Sequence, residues 1–248
     1  MGNRRKTPVE IDTIPAHQCS IGLRLELLGK LPFLASLSAD ELAAANKRFK
    51  ARDFAEGATI YFADDPATHL YVVAIGQVRL MQHSPAGKDV LLDVLQPGEF
   101  FGSLMPGDDG RYAETAQAHT DTCILGINAE AFRRLMTSDP RIALAVLDLT
   151  TERLHAAQET VRRLSAYPME QRLAAVLVRL AGKLGEQRAD DLLIQTRLSR
   201  EDLAQMTAAT PETISRIMTQ LQKDGLVNSG RQWVAVKDMA GLRRLAEG

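Results

Sequence analysis

Cysteine is scarce: the 248-residue chain has two, Cys19 and Cys123. Two cannot make a disulfide framework, and nothing in their use points to secretion. No run of eighteen apolar residues occurs, so no transmembrane helix is expected and no membrane is a predicted partner. The opening MGNRRKTPVE is basic but lacks an apolar core behind it, unlike a secretory signal, and has no Ser or Thr at its sixth position for lipidation. Cytoplasmic localisation is the expectation. Catalytic signatures are missing too. There is no Gly-rich phosphate loop, and GLVNSGR lacks the spacing of a nucleophile elbow. His17, His69, His83, His119 and His155 show no His-x3-His spacing, which leaves any metal unknown. The chain is therefore not expected to be an enzyme. Net charge is −1, without the basic excess usual in nucleic-acid binders. From Met169 onward 12 Lys and Arg face 10 Asp and Glu. Any affinity for nucleic acid must then come from local placement of charge and from two copies acting together.

What is present is concentrated in TPETISRIMTQLQKDGL, Thr210 to Leu226. Thr210 suits an N-cap and Pro211 the first helical position, where no N–H is missed. Ile214, Ile217, Met218 and Leu221 make one buried stripe, and Gly225 ends the helix. Upstream, SREDLAQMTAA starts a shorter helix with Ser199 as N-cap and Asp202 three residues on. Two capped helices joined through Ala208 and Ala209 predict a helix-turn-helix, whose second helix enters the major groove of double-stranded DNA. A single E-x-x-S-R on a helix is equally well ordinary surface charge. The two caps, the buried stripe and the short connection favour the DNA reader. Arg216 can fork onto guanine acceptors and Glu212 can accept from a cytosine amino group. Ser215 is small enough to let the helix approach the base edges. Arg200 and Thr213 lie at helix starts, where phosphates are met.

Taken in order, residues 1–31 read as an N-terminal arm carrying Arg4, Arg5 and Lys6, and SADELAAANKRFKARDF as a helix opened by a Ser38–Glu41 capping box. From Phe54 to about Asn128, short apolar runs are cut by turns every eight to twelve residues, with Gly57, Gly76, Gly87, Gly98 and Gly102 at their ends. That pattern predicts a β jelly roll over 32–138, enclosing a sensory pocket. INAEAFRRLMTSDP is a brief helix stopped by Pro140. Along 139–167, Leu147, Thr150, Leu154, Ala157, Val161 and Leu164 alternate spacings of three and four, a heptad seam. Such a stripe can lie on its own barrel. The charged flanks Glu152, Arg153, Glu159, Arg162 and Arg163 favour pairing of two chains, a homodimer. Residues 168–248 form the reader, with LVNSGRQWVAV as a hairpin turning at Asn-Ser-Gly and Trp233 packing this wing onto the helices. The expected class is α+β: jelly roll, dimerisation helix and winged helix-turn-helix.

SREDLAQ…TPETISR together with GQVRL…PGEFFG resembles the CRP/FNR family of bacterial regulators, over roughly Pro32 to Leu245. The resemblance implies that Glu212, Ser215 and Arg216 read bases while Arg200 and Thr213 hold phosphates. Ser215 resembles the FNR branch, where the cyclic-AMP branch has glycine. That implies a palindrome of TTGAT-like half-sites and a homodimer that helps to recruit RNA polymerase. In cyclic-nucleotide members FGE-L is followed by an Arg-Ser pair that holds phosphate and ribose. Here Ser103 replaces that Glu, and Glu114-Thr115 replace Arg-Ser, so a carboxylate would face a phosphate. A redox, oxygen or nitric oxide signal is favoured over a cyclic nucleotide. Control by abundance without a ligand, or an altered nucleotide pocket, are the alternatives. The oxygen-sensing branch holds a [4Fe–4S] cluster with four cysteines. Cys19 and Cys123 match two of these positions, but no sulfur stands near Ala16 or Leu25, so the chain cannot supply the set. A thiol switch or ordinary buried cysteines remain open, and haem is possible, with His17 near Cys19.

Overall fold

The computed structural model describes residues 20–83, 89–103, 110–188, 191–194, 198–230 and 232–248. One compact unit ends at Ala156 and a second is built on Ala157–Gly248. The first holds α1 (Ile21–Lys30), α2 (Ala39–Asn46), β1 (Lys50–Phe54), β2 (Thr59–Tyr61), β3 (His69–Ile75), β4 (Val78–His83), β5 (Asp89–Leu95), β6 (Phe100–Gly102), β7 (Thr115–Ala118), β8 (Thr122–Asn128) and α3 (Ala129–Ser138). Its strands form two antiparallel four-stranded sheets, in the orders β1-β8-β3-β6 and β2-β7-β4-β5. This is the jelly roll that the spacing of turns predicts.

Alternation along the strands sorts the side chains into two cores. From β3, Leu70, Val72 and Ala74 join Leu125 and Ile127 of β8 in a core shared with Leu28 of α1, Phe132 of α3 and Ile142. Tyr71 and Val73 point the other way, into a barrel interior with Tyr61, Phe101, Tyr112 and Ile124. Burial on both faces explains why β3 and β8 read as nearly unbroken apolar runs. At the turn after β3, Gly76 has φ +79°, and a Cβ there would lie 2.2 Å from the Asp121 carbonyl oxygen. Only glycine fits that corner.

The arm expected over 1–31 is helical from Ile21. Ser20 caps α1, and Leu27, Leu28 and Leu31 are buried in the core, so this stretch is part of the sensor. The capping box of α2 is present, with Glu41 N–H donating to Ser38 Oγ and Ser38 N–H to Glu41 Oε2. That helix stops at Asn46, and the ARDF that follows is β1, paired with β8. The first four residues of β1 are exposed and Phe54 alone packs against the barrel interior, so its sequence carries no alternation to read.

Helix α4 spans Pro140–Ala166, 27 residues or about 40 Å. Its apolar residues divide between two faces, one buried and one exposed. Ile142 and Val146 are buried in the sensor core. Arg153 Nη2 donates to the Phe100 carbonyl oxygen at 3.0 Å, with its guanidinium 3.9 Å above the Phe100 ring. On another face Leu147 is 61% exposed, Leu154 57% and Val161 63%, joined by Leu144 at 63%. Leu164, near the end, is half-buried.

The second unit contains α5 (Met169–Leu184), β9 (Gly185–Arg188), β10 (Asp191–Ile194), α6 (Arg200–Thr207), α7 (Pro211–Lys223), β11 (Val227–Gly230), β12 (Trp233–Val236) and α8 (Met239–Glu247). Its sheet has the order β11-β12-β10-β9. Leu173 and Leu177 of α5, Leu203 of α6, Ile214, Ile217, Met218 and Leu221 of α7, and Leu242 of α8 share one core. Each buried side chain of this size contributes roughly 1.5–3 kcal/mol. Four from α7 suffice to fix which face of that helix looks outward.

Two details of the wing differ from expectation. Gly230 pairs with Trp233, so Asn228, Ser229 and Gly230 are strand residues and the chain reverses after them. Gln232, at φ +66°, takes the left-handed position there. Along β12, Val234 and Val236 enter the helical core, whereas Trp233 lies with Ala235 and Leu193 in a separate cluster. The period of two turns Trp233 to the opposite face of the sheet.

Candidate nucleic-acid interface

The outward face of α7 is prepared by its first turn. Thr210, extended at ψ 154°, accepts on Oγ1 from the Thr213 N–H at 3.3 Å, and Pro211 follows it. Connection to α6 is made by Ala208, left-handed at φ 54°, which lets the chain turn within three residues. The N-cap expected at Ser199 is present, and Asp202 completes it as a capping box. The Asp202 carboxylate accepts from Ser199 N–H at 2.6 Å, and Ser199 Oγ accepts from Asp202 N–H at 3.1 Å.

With Ile214, Ile217, Met218 and Leu221 buried, Glu212, Ser215, Arg216, Thr219 and Lys223 are exposed. The carboxyl of Glu212 is held below the usual range by its own backbone N–H and then by the Thr210 hydroxyl. At neutral pH it is a pure acceptor. Ser215 donates its hydroxyl proton to the Pro211 carbonyl oxygen at 2.8 Å, and Thr219 does the same to Ser215 at 2.8 Å. What Ser215 offers outward is a small surface with acceptor capacity only. Arg216 supplies the donors. Carboxylate, small residue and guanidinium thus share one exposed face at spacings of three and one, offering an acceptor and a forked donor side by side.

Of the two phosphate candidates, Thr213 is half-buried beside the cap of α7. Arg200 opens α6 and donates through Nη2 to Ser229 Oγ on β11 at 2.7 Å. Gln222, near the end of α7, donates to the same Ser229 Oγ at 2.8 Å. Ser229 and Gln222 do not stand out in the sequence. They converge on Arg200 through the tertiary fold, and no local spacing announces it.

In the sensor, Glu114 lies where the family's phosphate-holding Arg is expected, and Tyr61 donates its hydroxyl to Glu114 Oε1 at 2.9 Å. The Tyr61 ring stacks on Tyr112 with centroids 3.7 Å apart and neighbours Phe101 at 6.0 Å. Burial pushes the Tyr61 phenol well above its ordinary range, and the Glu114 charge adds to this. Thr115 is buried, its Oγ1 accepting from the Ala63 N–H. Ser103, half-buried, is bound through its backbone N–H to the His69 carbonyl. A carboxylate at Glu114, where the family's phosphate-holding Arg is expected, does not fit a cyclic phosphate, because like charges repel. Cys123 is wholly buried and faces the helical side of β8, in the core with Leu28 and Phe132. Cys19 and His17 lie outside the described residues. Among the described residues no three His, Cys, Asp or Glu side chains converge as a metal site, and no helix is long and apolar enough to cross a membrane.

Comparison with known proteins bears on both units. The Cyclic nucleotide-binding domain family model matches residues 51–139, and the Crp-like helix-turn-helix domain model matches residues 171–245. The Cyclic AMP receptor protein of Thermus thermophilus is 31% identical over 218 residues, 88% of this chain and 97% of that relative. The chain belongs to the CRP/FNR family. The Nitrogen fixation regulation protein FixK of Azorhizobium caulinodans is 30% identical over 195 residues, covering 77% of each chain. The structure of FixK2 from Bradyrhizobium japonicum has a TM-score of 0.71 at 23% identity, covering 79% of this chain and 96% of that one, and shows the shared fold. As a CRP/FNR protein, the chain is a DNA-binding transcription regulator with a sensor domain, and its relatives are regulators, not enzymes.

Proposed function

We propose that this CRP/FNR protein acts in the cytoplasm as a homodimer on a palindrome of TTGAT-like half-sites, where it helps to recruit RNA polymerase. Glu212, Ser215 and Arg216 read bases, and Arg200 and Thr213 hold phosphates. The observation that carries this reading is the division of α7 into a buried apolar stripe and an exposed Glu-Ser-Arg face. A palindrome follows from symmetry, since two copies of one helix must enter successive major grooves about 34 Å apart. Pairing is assigned to the exposed stripe Leu147, Leu154 and Val161, with Leu164 at its end. Apolar residues exposed at seven-residue intervals on a helix lower their free energy by meeting a second copy.

The signal enters at the jelly roll and is redox, oxygen or nitric oxide in preference to a cyclic nucleotide. Support comes from the Glu114 carboxylate, which would repel a phosphate. The buried position of Cys123 argues for a signal that does not begin at that thiol.

Leu154→Glu tests the dimer. Placing a charge in the stripe should give monomers in sedimentation equilibrium. Binding to the palindrome should fall by about 100-fold or more, because two linked contacts become one. A Leu154→Glu protein that stays dimeric, or a monomer that keeps wild-type affinity, contradicts the proposal.

A further inference from the structure

Ser229 is an unremarkable residue in sequence, yet three elements meet on its hydroxyl. It receives Arg200 Nη2 from the first turn of α6 at 2.7 Å and Gln222 Nε2 from the last turn of α7 at 2.8 Å. Gln222 Nε2 also reaches the Ser229 carbonyl oxygen at 3.2 Å. The Ser229 N–H is held by Asn228 Oδ1 at 2.9 Å. A hydroxyl oxygen accepts two hydrogen bonds, so these two donors fill the acceptor capacity of Ser229 Oγ. All three side chains are half-buried.

Among the described residues the cation at the centre has no anion. Among the described residues no ion pair joins Arg200 to a carboxylate. Burial lowers its pKa. A guanidinium has five N–H donors, and Ser229 accounts for one. Neutral partners fix its direction without cancelling its charge. This arrangement has already lost part of its hydration and gains most from an anion arriving outside.

We propose that Ser229 and Gln222 are positioning residues that hold Arg200 as a clamp for a DNA backbone phosphate, joining the wing and both helices of the reader into one grip. The inference rests on the DNA-reading function above and names residues that function does not. Ser229 sets where the guanidinium points, and Gln222 keeps Ser229 from turning away.

The test is binding of full-length protein to random-sequence duplex over a salt series, read by fluorescence anisotropy. Ser229→Ala should weaken binding about fivefold, the effect of one hydrogen bond, and should make the salt dependence shallower. Ser229→Thr keeps the hydroxyl and should restore both. Arg200→Ala should reduce the slope of log affinity against log salt by about one, and Ser229→Ala should then have no further effect. An equal loss from Ser229→Ala with or without Arg200 overturns the clamp. So does unchanged binding by Ser229→Ala, an unchanged slope in Arg200→Ala, or failure of Ser229→Thr to restore binding. The duplex is chosen to lack a TTGAT-like half-site, so these outcomes are read even if Arg216 proves to select no base. Wild-type protein without affinity for any duplex overturns the reader and the clamp together.

Discussion

In the sensor, Tyr61 and Glu114 bond each other and Thr115 bonds the barrel's own backbone, all beneath or beside stacked rings. In the reader, Glu212, Ser215, Arg216, Thr219 and Lys223 look out from α7 into water. The difference lies in what each set is held by. Polar atoms satisfied internally contribute to stability, and replacing them leaves a partner stranded in a poorly hydrated place. Polar atoms left outward contribute little to folding and are available to a ligand. A pocket position can therefore persist in a fold after its side chains have been recruited into the core. An interface cannot close in this way and still bind.

That contrast makes the effects of substitution separable, and the largest should appear inside the barrel. Phe101→Ala empties a ring site in the sensor interior and should cost about 3–5 kcal/mol of sensor stability in denaturant unfolding. Tyr61→Phe removes the donor to Glu114 and should cost about 1.5–3 kcal/mol in the same assay. A Tyr61→Phe protein as stable as wild type would mean that Glu114 is better satisfied by water than by the phenol, erasing the distinction between the two regions. Arg216→Ala should leave the unfolding curve in place while removing about 1–3 kcal/mol of discrimination at one base pair of each half-site, measured on a panel of substituted duplexes. Weakening that is equal for every duplex would turn Arg216 into a phosphate contact. The smallest change is Thr210→Ala, which removes the cap of α7 and should cost about 1 kcal/mol of reader stability. It sits between the two classes, since a frayed first turn also displaces Glu212.

Legibility in the sequence followed where the information resides. The α7 helix was readable because cap, apolar stripe and glycine stop are all local, and the jelly roll because its turns recur at short intervals. The strands β1 and β9 were not readable. KARDF and GEQR are mostly exposed and owe their conformation to β8 and β10 alongside them. Helix α1 was hidden by its neighbours, being a modest apolar segment behind a stretch full of breakers, and its leucines acquire meaning only from the core they enter. The Arg200–Ser229–Gln222 cluster shows the same limit at the site. Its bonds join positions 29 and 7 residues apart in chain order, in no periodic relation. The place of Arg200 at a helix start marks it as a phosphate candidate in the sequence, but what orients it belongs to the fold.

The most direct test of two copies of one helix reading an inverted repeat is a stoichiometric titration. Full-length protein is added to a duplex carrying a TTGAT-like palindrome and to a scrambled duplex of equal composition, at the same salt. Saturation at two chains per palindrome, with at least about 100-fold preference over the scrambled duplex, is the predicted result. Equal affinity for the two duplexes, or saturation at one chain, would contradict it.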